Sequence, residues 1–454
     1  MITGRKTLWG WVAILALIVV AGCAPAVETE PEAAAYPARA MATTTLPPYP
    51  WPTQPPPPTD EPPPTDEPLP TEPPVPTLPP TPVVTPIPTA APPIIPFPDG
   101  TTTQPFTLYW RDGDVIRSLR SEGQEEPSVF LDPVKEFGLY LPPEEAYIRS
   151  WGTISSDGKT FALILTEEAE PKLTYGAPYP VHIYLFDLES RALRPLVKYG
   201  TQPVWSPDGN RVAYVSVETG GVWVADVADG KTREVYAVDR ANEHSIAPSG
   251  FTWSPDNYHL AIVDQVINQS TTLIVIDVEG LRPAHTLLED TLYLFGGPQW
   301  SPASDWISLV WSAGEGGEGP HLWFIKSDGS EKKQLTNNIR LLGELPQWSS
   351  DGEWIALGGS ARYERASPTL DLWLVNPGSA EQKRITYSPI DLATQSGANA
   401  LKPSWATDGT QLVFVRVPVL NELAEVWVIS LADGRERKLV EIMTVFDDGL
   451  MVGP

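Results

Sequence analysis

A turn resembling Trp-Ser-Pro-Asp-Gly recurs at intervals near fifty residues after Gln104, short runs of alternating apolar residues follow each copy, and Asp-Gly pairs separate the runs. Together these predict an all-β fold: a seven-bladed β-propeller of four-stranded antiparallel blades, with six blades as the alternative.

The first element, residues 1–23, reads as an export signal. Arg5 and Lys6 precede an apolar run from Leu8 to Val20, which is short for a permanent membrane span. The run ends in Val20-Ala21-Gly22-Cys23, and Cys23 is the single cysteine of the chain. With no second cysteine, an intrachain disulfide is excluded. The four residues resemble the lipobox of bacterial lipoproteins. That resemblance implies cleavage before Cys23, a palmitate-type acyl anchor on its sulfur, and a place on the extracytoplasmic face of the cell membrane.

Residues 24–105 hold 29 of the 52 prolines, mixed with threonine and acidic residues. Proline fixes φ and offers no backbone donor, so a disordered, extended linker is expected there. At about 3.1 Å per residue its upper reach is on the order of 250 Å.

The remaining element, 106–454, carries the repeats. The turn positions are Asp157, Asp208, Asp256, Ala303, Asp351 and Asp408, at spacings of 51, 48, 47, 48 and 57 residues. In the unit opened by Pro203, a strand ends at Trp205 and a second is expected over 211–217. A third follows over 222–227, with a fourth after the Ala228-Asp229-Gly230 turn. Residues 106–111, 114–120 and 127–132 read as the last three strands of a blade lacking its first. The stretch 443–452 is expected to supply that strand and close the ring, since closure removes exposed edges. The repeated tryptophans are expected to pack between blades, and the turn aspartates to bond local amides.

This repeat resembles the WD40-like repeat of TolB-type propellers, over Phe106 to the C-terminus. TolB-like proteins carry a small α/β domain before the propeller. Here the proline-rich linker stands in its place.

Composition narrows function. A net charge of −26 opposes nucleic-acid binding. No Gly-x-Ser-x-Gly elbow appears, His182, His244, His259, His285 and His321 are scattered, and no metal motif is present, so neither catalytic residues, cofactor nor metal is expected. Long connections are expected between second and third strands and between blades, on one face of the ring. That face carries Tyr140, Tyr147, Tyr175, Tyr179, Arg362, Tyr363, Arg365 and Tyr387, a Tyr and Arg mixture suited to a protein partner. The resulting expectation is a monomeric, non-enzymatic scaffold lipoprotein that binds a protein of the cell envelope. The alternative is a glycan-binding or lyase-type enzyme with its site in the central channel.

Overall fold

The computed structural model describes residues 105–122, 126–143, 150–168, 180–238, 248–266, 270–290, 294–312, 320–341, 345–361, 369–388, 390–391, 396–397, 399–406, 408–417, 423–442 and 450–453. All belong to one compact unit, Thr85–Pro454. They form eight antiparallel sheets: seven are blades, which settles the blade number at seven, and the eighth is a two-stranded ribbon of Ile390–Asp391 and Ser396–Gly397.

From the inner to the outer strand, blade 1 is Met451–Gly453, Thr107–Asp112, Val115–Arg120 and Ser128–Leu131. Blade 2 is Gly152–Ile154, Thr160–Leu165, His182–Asp187 and Leu193–Lys198. Blade 3 runs Gly200–Trp205, Arg211–Ser216, Val222–Asp226 and Thr232–Tyr236, and blade 4 Gly250–Trp253, His259–Val266, Ser270–Asp277 and His285–Asp290. Blade 5 is Leu294–Trp300, Trp306–Trp311, His321–Lys326 and Lys332–Gln334. In blade 6 the inner strand is broken into Ile339–Leu341 and Gln347–Trp348, followed by Ile355–Ala361, Asp371–Val375 and Gln382–Arg384. Blade 7 is Asn399–Trp405, Gln411–Val417, Ala424–Ser430 and Glu436–Ile442.

The ring closes as the strand count requires. Met451, Val452 and Gly453 pair antiparallel with Tyr109, Leu108 and Thr107, so the C-terminus supplies the inner strand of the first blade. Leu450 and Val452 pack on a core shared by blades 1 and 7, with Phe106, Leu108, Val413 and Val426 at its centre. Arg437 of blade 7 adds a 2.6 Å hydrogen bond to the Ser121 carbonyl of blade 1.

The cores lie between successive blades, and the tryptophans tie them together. Trp205 Nε1 donates to the Thr153 carbonyl (3.3 Å), Trp253 to Val204 (3.1 Å), Trp300 to Thr252 (3.3 Å) and Trp405 to Gln347 (3.0 Å). Each indole thus fills the gap to the preceding blade and satisfies an inner-strand carbonyl of it, combining apolar burial with a hydrogen bond.

One local feature differs from the long connection expected after blade 1. Residues 133–137, expected as loop, form a short helix: Asp132 caps it by accepting from Lys135 N (3.1 Å), Pro133 opens it, and Gly138 at φ 69° ends it. In blade 1 the second and third strands, expected over 106–111 and 114–120, are joined by a tight Asp112–Val115 hairpin with Gly113 at φ 62°.

Candidate functional site

Antiparallel order places the first-to-second and third-to-fourth turns on one side of the ring. The second-to-third and blade-to-blade connections leave on the other. The first side is a self-contained hydrogen-bonded rim. Ser206 Oγ donates to Asp208 Oδ1 at 2.6 Å, Asn210 N donates to the same oxygen at 3.1 Å, and Ser206 Oγ accepts from Arg211 N at 2.9 Å. Ser155 with Asp157, Ser254 with Asp256, and Ser349 with Asp351 repeat the hydroxyl–carboxylate bond at 2.6, 2.5 and 2.5 Å. The Ser155 hydroxyl holds Asp157 below the usual carboxylate range. Neighbouring turns also bond each other: Ser156 Oγ to the Pro207 carbonyl, Asp208 N to Asn257 Oδ1, and Asp256 N to Ser304 Oγ, at 2.7, 3.0 and 3.1 Å. The turn aspartates are therefore structural, as the sequence suggested.

On the other side, two of the expected site residues lie among the described residues. Tyr147, Tyr175, Tyr179, Arg362, Tyr363, Arg365 and Cys23 lie outside them. Tyr140 is half-buried, and its backbone exchanges two 2.9 Å hydrogen bonds with Thr166, which fixes the connection from blade 1 to the end of a blade 2 strand. Tyr387 follows the outer strand of blade 6 and is 44% exposed. The two tyrosines occupy different connections, one entering blade 2 and the other entering blade 7.

Tyr387 is held by a polar cluster that sequence reasoning missed. Its ring lies 4.5 Å from the Arg384 guanidinium carbon, and Arg384 Nη2 donates to Asp371 Oδ2 at 2.5 Å. Asp371 opens the third strand of blade 6 and is 1% exposed. Its other oxygen accepts from Ser388 N (2.6 Å) and Thr386 Oγ1 (3.1 Å). A carboxylate this buried persists only when opposite charge and further donors surround it. The cluster extends into blade 7: Leu370 N donates to Asn399 Oδ1 at 3.1 Å, and Ala400 N donates to the Leu370 carbonyl at 2.8 Å. One exposed aromatic ring therefore stands on a rigid base at the junction of blades 6 and 7.

A second group occupies the same side of blade 2. His182 Nδ1 accepts from Tyr199 N at 3.1 Å, and the two rings meet edge to face at 5.2 Å. Burial pushes the His182 imidazole below its ordinary value, against the opposing charge of Glu167. Burial, and then Glu167, push the Tyr184 phenol up. Among the described residues no group of three or more His, Cys, Asp or Glu is placed to hold a metal ion. A cleft of about 270 Å³ lies on blade 1, lined by Thr107, Tyr109, Ser118, Arg120, Ser128 and Phe130. It sits toward the turn side, away from Tyr387.

No family model matches the chain. Among curated proteins it is 26% identical over 222 residues to the uncharacterized peptidase YuxL of Bacillus subtilis (strain 168), a match covering 47% of this chain and 29% of that protein. The shared stretch is thus less than a third of the relative's length. Among solved structures, a prolyl endopeptidase superposes with a TM-score of 0.52 at 12% identity, over 75% of this chain and 50% of that one. A putative TolB from Agrobacterium tumefaciens aligns at 20% identity and a TM-score of 0.41, over 61% of this chain and 99% of that one.

The expectation of a non-enzyme is corrected by the curated relative, which is named as a peptidase. A missing hydrolase motif within the repeats does not set a chain apart from enzymes, because catalytic class is carried by sites and not by a propeller scaffold. The structure is a β-propeller of seven antiparallel blades.

Proposed function

We propose that this chain is a polypeptide-binding propeller, exported and held at the membrane by an acyl group on Cys23, and that it engages its protein partner on the side of the long connections. The observation carrying this reading is the Tyr387 platform: a 44% exposed ring stacked on a guanidinium that a buried carboxylate fixes in place. A rigid aromatic anchor with little entropy left to lose is the group most effective at a protein interface. The linker supports the same reading, since a proline-rich segment sets a binding domain away from the surface that anchors it.

Site-specific photo-crosslinking in cells tests this. A photoreactive residue at position 387 should give a discrete protein adduct, and one at position 258 on the turn side should not, although Tyr258 is 62% exposed. Adducts from position 258 alone would overturn the assignment of the face. For the anchor, Cys23→Ser should move the protein out of the membrane fraction; unchanged membrane retention would remove that part of the proposal.

A further inference from the structure

Four seams of the ring share one packing scheme, and the seam between blades 1 and 2 reverses it. In blades 3–6 the inner strand ends in Trp205, Trp253, Trp300 and Trp348. Each indole shares a core or a ring contact with one apolar residue on the third strand of the preceding blade, in turn Leu185, Val224, Val275 and Phe324. Directly opposite these, the second strand carries a small residue, Ala162, Ala213, Ala261 or Ser308, which leaves room for the indole.

Blade 2 lacks that indole. Its inner strand ends in Ile154, which pairs with Phe161 as Trp205 pairs with Val212. In blade 1 the large and small residues have changed places: Tyr109 stands on the second strand and Ser118 opposite it on the third. The Tyr109 ring leans toward the inner strand, where a Cβ on Gly453 would stand 3.0 Å from Tyr109 Cε2 and 3.1 Å from Ile154 Cδ1. Space over the third and outer strands is left open, and the cleft of about 270 Å³ occupies it. Ser118 and Ser128 supply its hydroxyls. Tyr109 and Phe130, with ring centroids 5.0 Å apart, form an aromatic wall, and the exposed Arg120 and Glu126 form the rim.

We infer that this cleft is a binding site for an indole ring, taken up from solution into the gap that the repeat elsewhere fills with its own. The inference is independent of the polypeptide reading, since the cleft lies toward the turn side of blade 1. The other seams show which contacts an indole makes in such a gap. Between blades 5 and 6 a serine hydroxyl satisfies the indole N–H, Trp348 Nε1 donating to Ser308 Oγ at 2.8 Å; Ser118 and Ser128 offer the same acceptor in the cleft. Between blades 3 and 4 a guanidinium covers the ring, Arg211 over Trp253 at 4.9 Å; Arg120 supplies that cation at the rim. The Tyr109 and Phe130 wall adds edge-to-face contact. The volume falls below the roughly 300–1,000 Å³ of pockets for drug-sized ligands, which suits one fused ring and not an extended molecule.

The test is ligand-observed saturation-transfer NMR on the full chain, with free indole, N-acetyl-tryptophanamide and N-acetyl-leucinamide as probes. Both indole probes should bind with a dissociation constant on the order of 1 mM, and the leucine probe should not bind. Tighter binding of free indole identifies a small metabolite as the source, and tighter binding of the amide a tryptophan side chain; the site stands in either case. Ser118→Leu restores the apolar residue of the other blades and should cut indole affinity about tenfold or more, with the melting temperature kept or raised. Arg120→Gln, at an exposed position, should weaken binding about threefold by removing the cation over the ring. Three results would each overturn the inference: neither indole probe binds, the leucine probe binds equally well, or affinity is unchanged in every variant that keeps the parent melting temperature.

Discussion

Trp348 Nε1 donates to Ser308 Oγ at 2.8 Å, and Ser308 Oγ donates onward to the Gln299 carbonyl at 3.2 Å. Elsewhere in the ring the repeat tryptophan reaches the inner-strand carbonyl of the preceding blade directly, as Trp405 does to Gln347. At the seam between blades 5 and 6 a buried serine carries the same connection one step further.

Ser308→Ala should therefore destabilise the propeller by about 1–2 kcal/mol, since it leaves a partly buried indole N–H and a carbonyl without their shared partner. Trp348→Phe in the same background should add less than it does alone, because the bond it removes is already broken. A double-mutant cycle by denaturant unfolding measures this coupling; strictly additive effects would show that the relay contributes nothing to stability.

The buried Asp371–Arg384 pair gives a sharper contrast. Removing the carboxylate with Asp371→Ala leaves a guanidinium whose side chain is only 15% exposed, at a cost of about 3–5 kcal/mol. Tyr387→Ala, by contrast, removes an exposed ring and should shift stability by less than about 1 kcal/mol. Chemical denaturation of the two variants checks the ordering. Equal losses would mean that Tyr387 is a packing residue and not a platform.

What was legible in the sequence was what is local. The Ser206–Asp208 turn closes its hydrogen bonds within five residues, so the chemistry that builds it can be read directly from the repeat. The closing strand was legible for a different reason: 107–131 offers three strands where every other unit offers four, and only the C-terminus is left to supply the fourth. The helix at 133–137 had a local signature in Asp132, Pro133 and Gly138, but five residues carry too little apolar periodicity to separate it from a loop. Asp371 and Arg384 were not legible at all. They lie thirteen residues apart on adjacent strands, and nothing short of the strand register brings them together beneath Tyr387.

Acid should loosen the turn side first. Asp157, Asp187 and Asp328 each accept from a neighbouring serine, Ser155, Ser190 and Ser330, and are held below their ordinary value of 3.8. A depressed folded value means that the unfolded chain binds more protons than the folded one in this range. The contribution is therefore complete above the unfolded value and is lost as pH falls through the lower folded values. The melting temperature should fall below about pH 4, and Ser155→Ala should make that acid limb shallower by returning Asp157 toward its ordinary value. An identical acid limb in wild type and variant would refute the assignment.

Ring closure provides the last prediction. The closing strand is three residues long, yet Leu450 and Val452 cover the core of blades 1 and 7, and Gly453 fits where a side chain would not. A Cβ there would stand 3.0 Å from Tyr109 Cε2 and 3.1 Å from Ile154 Cδ1. Deleting 450–454 exposes that core and the edge of Thr107–Asp112; partial burial of two aliphatic side chains puts the loss at roughly 2–4 kcal/mol. Melting should fall by several degrees, and the freed edge should promote association. Gly453→Val should reproduce part of the loss through steric conflict alone, with the chain at full length. The Arg437 to Ser121 bond survives both changes, so the ring should loosen at one seam and not unfold throughout. Hydrogen exchange can read this directly: protection should drop in Thr107–Asp112 and stay unchanged in blades 3 and 4. Uniform loss across all blades would show that the ring unfolds as one unit and that the closing strand is no separate latch.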